Sequence, residues 1–302
     1  MVSVRNVTKH YGNFLALDDV TFDVAKGEIT AFLGPNGAGK TTTMRILTGF
    51  MPPDSGEIEI DGKDVFEERE SVKAIIGYLP ENPPLYPELT VTEYLTFVAE
   101  LKRVPKKNVK EAVERAIEAT DLKERRDTLL AYLSKGFKQR AGIAQAIVHD
   151  PKVLVLDEPT IGLDPLQVLD IRALVRKLAG EERTIILSTH MLAEASEICT
   201  KAVIINNGKI VAVDRISALK AKLTGGSRIG VKVLQSPEAA ENAVRSLSGV
   251  RAVARDGSKI TVTADEDIRD RVAKAVVDSG AGLVELGLEH GSLEDVFVQL
   301  VQ

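Results

Sequence analysis

The sequence predicts an α/β chain built as a phosphate-loop nucleotide-binding core with an antiparallel β subdomain and an inserted helical subdomain, followed by a small α+β C-terminal domain. Three observations carry that prediction. First, the apolar strand Ile29 to Leu33 runs into Gly34-Pro35-Asn36-Gly37-Ala38-Gly39-Lys40-Thr41-Thr42 and then into helical periodicity. This stretch fits G-x-x-x-x-G-K-[ST] at every fixed position. Second, the apolar run Val153 to Leu156 ends in the paired carboxylates Asp157 and Glu158. Third, residues 228 to 288 read strand, helix, strand, strand, helix, strand, the order of a ferredoxin-like split βαβ.

The glycines of the loop let the backbone turn tightly, so that successive N–H groups converge on a polyphosphate at the positive end of the following helix. Lys40 then supplies a cation for the terminal phosphates and Thr41 a hydroxyl ligand for Mg²⁺. The motif therefore predicts nucleoside triphosphate binding.

Composition narrows the classes. A chain of 302 residues with 44% hydrophobic content suits a main domain and a smaller one. A formal charge of −5, with both signs interspersed, argues against a nucleic-acid surface. Cys199 is the one cysteine and the four histidines are scattered, so neither a disulfide framework nor a Cys/His metal cage is expected. The N-terminus lacks the layout of a signal peptide and no apolar run is long enough to span a bilayer. The expectation is a cytoplasmic chain that serves a membrane through a partner.

Taken in order, residues 2 to 30 alternate apolar and polar, with turns at Tyr11-Gly12-Asn13 and Lys26-Gly27, and predict short antiparallel strands. Tyr11, in a polar turn, is placed to stack on a base or to cover the sheet edge. A helix is expected from about 39 to 50, then a turn at Pro52 to Gly56, a strand from Glu57 to Ile60, and a tight turn at Asp61-Gly62. Ile75 to Leu79 reads as a strand, ended by the proline-rich loop from Pro80 through Glu81 to Pro87. From Thr90 the period becomes helical through Ile147, a helical subdomain of about residues 88 to 150. The run 153 to 156 is of the kind buried in a parallel sheet; acids at such a strand end hold Mg²⁺ or polarise an attacking water. Thr184 to Thr189 delivers His190 to the same edge. The ATP-binding domain is expected over 1–222, Leu223 to Ser227 reads as a linker, and the second domain spans 228–302. Its last helix would open at Ser292 with Asp295 as a capping signal.

The segment Leu133-Ser134-Lys135-Gly136-Phe137-Lys138-Gln139-Arg140, upstream of the acidic strand and opening a helix, narrows the field. With the loop and the acidic strand it resembles the ATP-binding subunit of an ABC transporter, most of all the subfamily of drug-efflux, sodium-efflux and gliding-motility ATPases. The resemblance implies Tyr11 on adenine, Gly34 to Thr42 on the phosphates, Asp157 on Mg²⁺, Glu158 as catalytic base and His190 as γ-phosphate sensor. It implies a homodimer around two ATP, with Gly162-Leu163-Asp164 as the loop joining the two subunits and Ser134 and Gly136 of one chain completing the partner's site, and a separate membrane permease at the inner face of the membrane. Three positions depart from the pattern: Glu81 replaces the usual glutamine as a Mg²⁺ or water contact, Lys135 and Phe137 replace a glycine and a glutamine, and Ile161 stands where serine is common. Soluble relatives acting on DNA or ribosomes usually carry coiled-coil insertions or two ATP modules, neither of which is visible here. A module that binds ATP without turnover is disfavoured by Glu158 and His190.

Overall fold

The computed structural model describes residues 1–179, 183–223, 227–288 and 297. The chain divides into two compact units, Met1–Arg215 and Ile216–Gln302.

In the first unit, β1 (Val2–Tyr11) and β2 (Phe14–Val24) form an antiparallel hairpin in which Tyr11 stands opposite Phe14. Tyr11 is therefore the last residue of a strand rather than part of the turn, which is Gly12-Asn13 alone. β3 (Ile29–Leu33) feeds the phosphate loop and α1 (Lys40–Leu47). α1 stops three residues short of the expected end because Gly49 takes a left-handed φ of 67°. Gly49 N–H then donates to Ile46 O and Phe50 N–H to Arg45 O, the paired bonds that close a helix at a left-handed glycine. β4 (Ser55–Ile60) and β5 (Lys63–Asp64) complete an antiparallel sheet of order β2-β1-β4-β5.

After α2 (Arg69–Lys73) comes β6 (Ile76–Leu79), then the helical insertion of α3 (Val91–Leu101), α4 (Lys106–Ala119) and α5 (Lys135–Ile147). Thr90 and Glu93 cap α3 reciprocally: Thr90 N–H donates to Glu93 Oε2 at 2.8 Å and Glu93 N–H to Thr90 Oγ1 at 3.2 Å, satisfying donors that a helix start leaves orphaned. α5 returns to β6 so closely that a Cβ on Gly77 would lie 2.0 Å from Ala146 O. The chain continues through β7 (Val153–Asp157), α6 (Pro165–Ala179), β8 (Thr184–Thr189), α7 (Leu192–Ile198), β9 (Lys201–Asn206) and β10 (Lys209–Arg215). The second sheet has the order β10-β9-β3-β8-β7-β6; β10 pairs antiparallel and the rest are parallel. Every residue of β7 and β8 is buried, which is why their centres, Val153 to Leu156 and Ile185 to Leu187, read as continuous apolar runs rather than alternating ones. Phe22 and Phe32, with ring centroids 5.3 Å apart, join the two sheets through one core. Because β3, β6, β7 and β8 run parallel, their carboxyl ends share one edge, and the phosphate loop, Glu81, Asp157, Glu158 and His190 follow those ends.

The second unit holds α8 (Ile216–Leu223), β11 (Ser227–Val233), α9 (Pro237–Arg245), β12 (Val250–Asp256), β13 (Lys259–Ala264), α10 (Arg269–Asp278) and β14 (Leu283–Leu288). Its sheet is antiparallel, of order β12-β13-β11-β14. Alternate residues Ile229, Val231 and Val233 of β11 are buried with Ala240 and Val244 of α9 and Val272 and Val276 of α10, as a sheet covered on one face requires. Of the expected linker Leu223 to Ser227, Leu223 ends α8 and Ser227 opens β11; residues 224–226, and the expected last helix apart from Phe297, lie outside the described residues.

Candidate active site

Asn36, Gly37, Gly39, Lys40, Thr41 and Thr42 line a cleft of about 590 Å³ with Tyr11, Glu81, Glu158 and His190. Gly34, Pro35 and Ala38 belong to the same loop, and their carbonyls are engaged by protein donors. Lys40 Nζ donates to Gly34 O at 2.9 Å and Pro35 O at 3.3 Å, and Gly208 N–H donates to Ala38 O at 3.0 Å. Lys40 Nζ also lies 3.4 Å from Glu158 Oε1, with both side chains almost wholly buried. A buried carboxylate is costly without such a partner.

At the end of β7, Asp157 is fully buried. Ser188 Oγ donates to its Oδ1, while Oδ2 has no partner among the described residues. Burial raises the Asp157 carboxyl above its usual range; the Ser188 and Thr41 hydroxyls oppose that shift, and Glu158 and Glu81 reinforce it. A buried acid with one unpaired oxygen beside a threonine hydroxyl suits a hard divalent cation, which prefers carboxylate and hydroxyl oxygens.

Glu158 has a left-handed backbone, φ 48°. Its N–H is held by both Ser188 O and Ser188 Oγ at 3.1 Å. Its Oε2 lies 2.8 Å from His190 Nδ1, and His190 is half exposed. The carboxylate only accepts, so Nδ1 carries the proton and the ring is oriented by that bond. Sequence reasoning missed Ser188, which braces both acids. The available signal was a hydroxyl directly after the apolar run Ile185 to Leu187, on a strand buried along its length, since buried polar groups are rarely without a bonded role.

Tyr11 is 43% exposed, and its hydroxyl donates to Met51 Sδ at 3.2 Å. Phe14, opposite it on β2 and 62% exposed, also lines the cleft and was not singled out from the sequence.

Ser134 and Gly136 are not brought to this cleft within one chain. They line a separate hollow of about 300 Å³ with Phe137, Arg140 and Gln167. Ser134 is the N-cap of α5, its Oγ accepting from Phe137 N–H at 3.4 Å. The departures from the family pattern have local roles. The Lys135 ammonium lies against Gly162 (φ 64°), 2.0 Å from where a Cβ would stand, and the Phe137 ring carries the Arg125 guanidinium 5.3 Å from its centroid. Arg140 ties Asp121 and Asp170 together at 3.3 and 3.1 Å, and so joins the signature helix α5 to α6. Among the described residues no group of three or more His, Cys, Asp or Glu is arranged as a metal cage, and no helix is long and apolar enough to cross a membrane.

The family described as ABC transporter matches residues 17–161. The chain is 33% identical, over its whole length and 97% of the relative, to the bacitracin transport ATP-binding protein of Bacillus licheniformis. It is 32% identical, over 99% of its length and 95% of the relative, to a daunorubicin resistance ATP-binding protein of Streptomyces coeruleorubidus. Among solved structures, an ATP-binding subunit of an ABC transporter superposes with a TM-score of 0.67 at 32% identity, covering 74% of this chain and 93% of that one. A dimeric post-hydrolysis ATP-binding cassette bound to ADP and Pi superposes with a TM-score of 0.65 at 25% identity, covering 72% and 99%. With a phosphate loop, a buried acid pair and a histidine at one sheet edge, the chain belongs to the ABC transporter family as an ATP-binding, ATP-hydrolysing subunit.

Proposed function

We propose that the chain powers export. It would do so as a homodimer closed on two ATP, peripheral on the cytoplasmic face of the membrane and coupled to a separate permease. Support for export comes from the full-length similarity to bacitracin transport and daunorubicin resistance subunits. The observation that carries the chemistry is the Glu158–His190 hydrogen bond at 2.8 Å, placed across the cleft from the phosphate loop.

In this reading Tyr11 stacks on adenine, the loop N–H groups and Lys40 hold the phosphates, and Thr41 and Asp157 hold Mg²⁺ with Glu81 at its periphery. The metal supplies charge neutralisation on the phosphates. Glu158 orients and deprotonates the attacking water, and His190, fixed by its bond to Glu158, meets the terminal phosphate. Ser134 and Gly136 act on the partner's ATP from the N-terminus of α5; their position in a hollow apart from the cleft supports that assignment. The second unit's strand order supports a ferredoxin-like domain that stabilises or regulates the dimer.

Glu158→Gln tests this reading. Turnover should fall by about a hundredfold or more, the scale of a lost general base, while ATP binding persists and an ATP-bound dimer accumulates. Hydrolysis at the unmodified rate, or a variant that stays monomeric in Mg-ATP, would refute it.

A further inference from the structure

Glu194, in the first turn of α7, is a fully buried carboxylate that does not line the cleft. Its Oε2 accepts from Thr189 Oγ1 at 2.6 Å, and Thr189 Oγ1 in turn accepts from Met191 N–H at 3.0 Å. These two bonds fasten the backbone on either side of His190. The hydroxyl of Thr160, also buried, lies near the same carboxylate, whose Oε1 has no hydrogen-bond partner among the described residues. Thr160 follows Glu158 by two residues, so the carboxylate is bonded to the segment carrying the histidine and neighbours the segment carrying the acid.

Arg172 of α6, itself buried, faces this carboxylate and offsets part of its burial. Burying an acid costs several kcal/mol unless it is paired and hydrogen-bonded. A leucine would fill such a position in a helix packed on a sheet without that cost. What the carboxylate adds over an apolar group is direction, because it accepts from the Thr189 hydroxyl and so fixes the residue next to His190.

We infer that Glu194 is a positioning residue for hydrolysis: its hydrogen bond to Thr189, a bridge from α7 to the end of β8, holds the His190 turn so that the Glu158–His190 pair stays at hydrogen-bonding distance. The inference rests on the roles proposed above for Glu158 and His190. It adds that their geometry is set by a crosspiece behind them, not by the pair alone. Loss of the bridge frees the His190 turn while leaving the phosphate loop untouched, so its effect falls on turnover and not on ATP affinity.

Thr189→Val, close in volume and lacking only the hydroxyl, is the primary variant, with Glu194→Ala beside it. Each should lower kcat about tenfold, the scale of one hydrogen bond to a charged group, with the Kd for ATP unchanged within about twofold. Thr189→Ser restores the hydroxyl and should restore kcat. In a His190→Ala background, Thr189→Val should cause no further loss, because the position it protects is gone. Unmodified kcat in Thr189→Val and Glu194→Ala, failure of Thr189→Ser to rescue, or a full additional tenfold loss in the His190→Ala background would overturn the inference. So would an equal weakening of ATP binding and turnover, which marks general damage to the fold. Glu158→Gln, run in parallel, separates the two levels. If it hydrolyses normally the catalytic assignment fails, whereas if it collapses while the Thr189 and Glu194 variants run at full rate only the bridge is wrong.

Discussion

His149 closes α5 at the end of the sheet away from the cleft, and its Nε2–H donates to Ile76 O at 2.9 Å while Nδ1 is buried without a partner among the described residues. Lys102 Nζ reaches the same carbonyl at 3.4 Å. Burial first, and then the Lys102 cation, push the imidazole from 6.5 down to about 4. The folded state therefore prefers the neutral ring, and the unfolded chain takes the proton first. The stabilisation is complete above about pH 6.5 and is lost as the pH falls towards 4. Between pH 8 and pH 5 the loss amounts to about 2 kcal/mol, with a ceiling of about 3.4 kcal/mol in stronger acid. His149→Gln keeps a donor for Ile76 O and removes the titration, so it should lose about 2 kcal/mol less than the unmodified protein over the same interval. Urea unfolding followed by tyrosine fluorescence measures this cleanly, because all five tyrosines, at 11, 78, 86, 94 and 132, lie in the first unit and there is no tryptophan. Equal losses in the two proteins would refute the argument.

Three further outcomes can be checked. Lys135→Ala should weaken ATP-driven dimerisation and turnover about tenfold if its ammonium leaves Gly162 for the partner's phosphate, the scale of one charge-assisted contact; unchanged turnover across a salt series would make it a loop contact only. Tyr86, in the proline-stiffened loop, packs against Phe97 and Tyr94 of α3 at centroid distances of 5.6 and 6.1 Å, leaving Tyr86 and Phe97 half exposed, and the reading proposed above makes this face the one that receives a helix of the permease. Tyr86→Ala should lower transport and co-purification of the permease while sparing the ATPase of the isolated chain, and a charge placed at Leu85 should do the same; survival of transport in both would place coupling elsewhere. Removing residues 228–302 should leave ATP binding measurable by nucleotide titration, and complete loss in a truncation that still folds would put part of the site in the second unit.

Much of this was legible wherever one local signal decides the structure. The phosphate loop needs glycine, lysine and threonine at set spacing, and a strand buried on both faces carries a run of consecutive apolar residues, so β3, β7 and β8 announce themselves. Alternation likewise marks β11 and β13, where one sheet face is covered. What escaped depends on contacts distant in sequence. The order β10-β9-β3-β8-β7-β6 is set by backbone ladders that any residue can make. The five-residue α2 and two-residue β5 are too short for a period, and α6 follows the Gly162 loop with an exposed Leu166 and Leu169 that blur its apolar face. Ser188, Thr189, Glu194 and His149 each look ordinary in the chain, and their importance lies in which buried group they meet.

The engaged carbonyls of the phosphate loop have a kinetic consequence. With Gly34 O and Pro35 O taken by Lys40 and Ala38 O by Gly208 N–H, the ordering entropy of the loop is spent during folding rather than at each encounter with nucleotide. Capture of ATP then asks Lys40 to exchange these partners for phosphate oxygens but asks no reordering of the loop backbone, so its observed rate should climb linearly with nucleotide concentration. The clamp depends on a turn 170 residues further along the chain (208 against 38): Gly208 also accepts from Asp18 N–H at 2.9 Å, at φ 78°, with Ala16 O 2.9 Å from the site of any added Cβ. A side chain there would be felt as delayed capture, while the chemical step kept its pace.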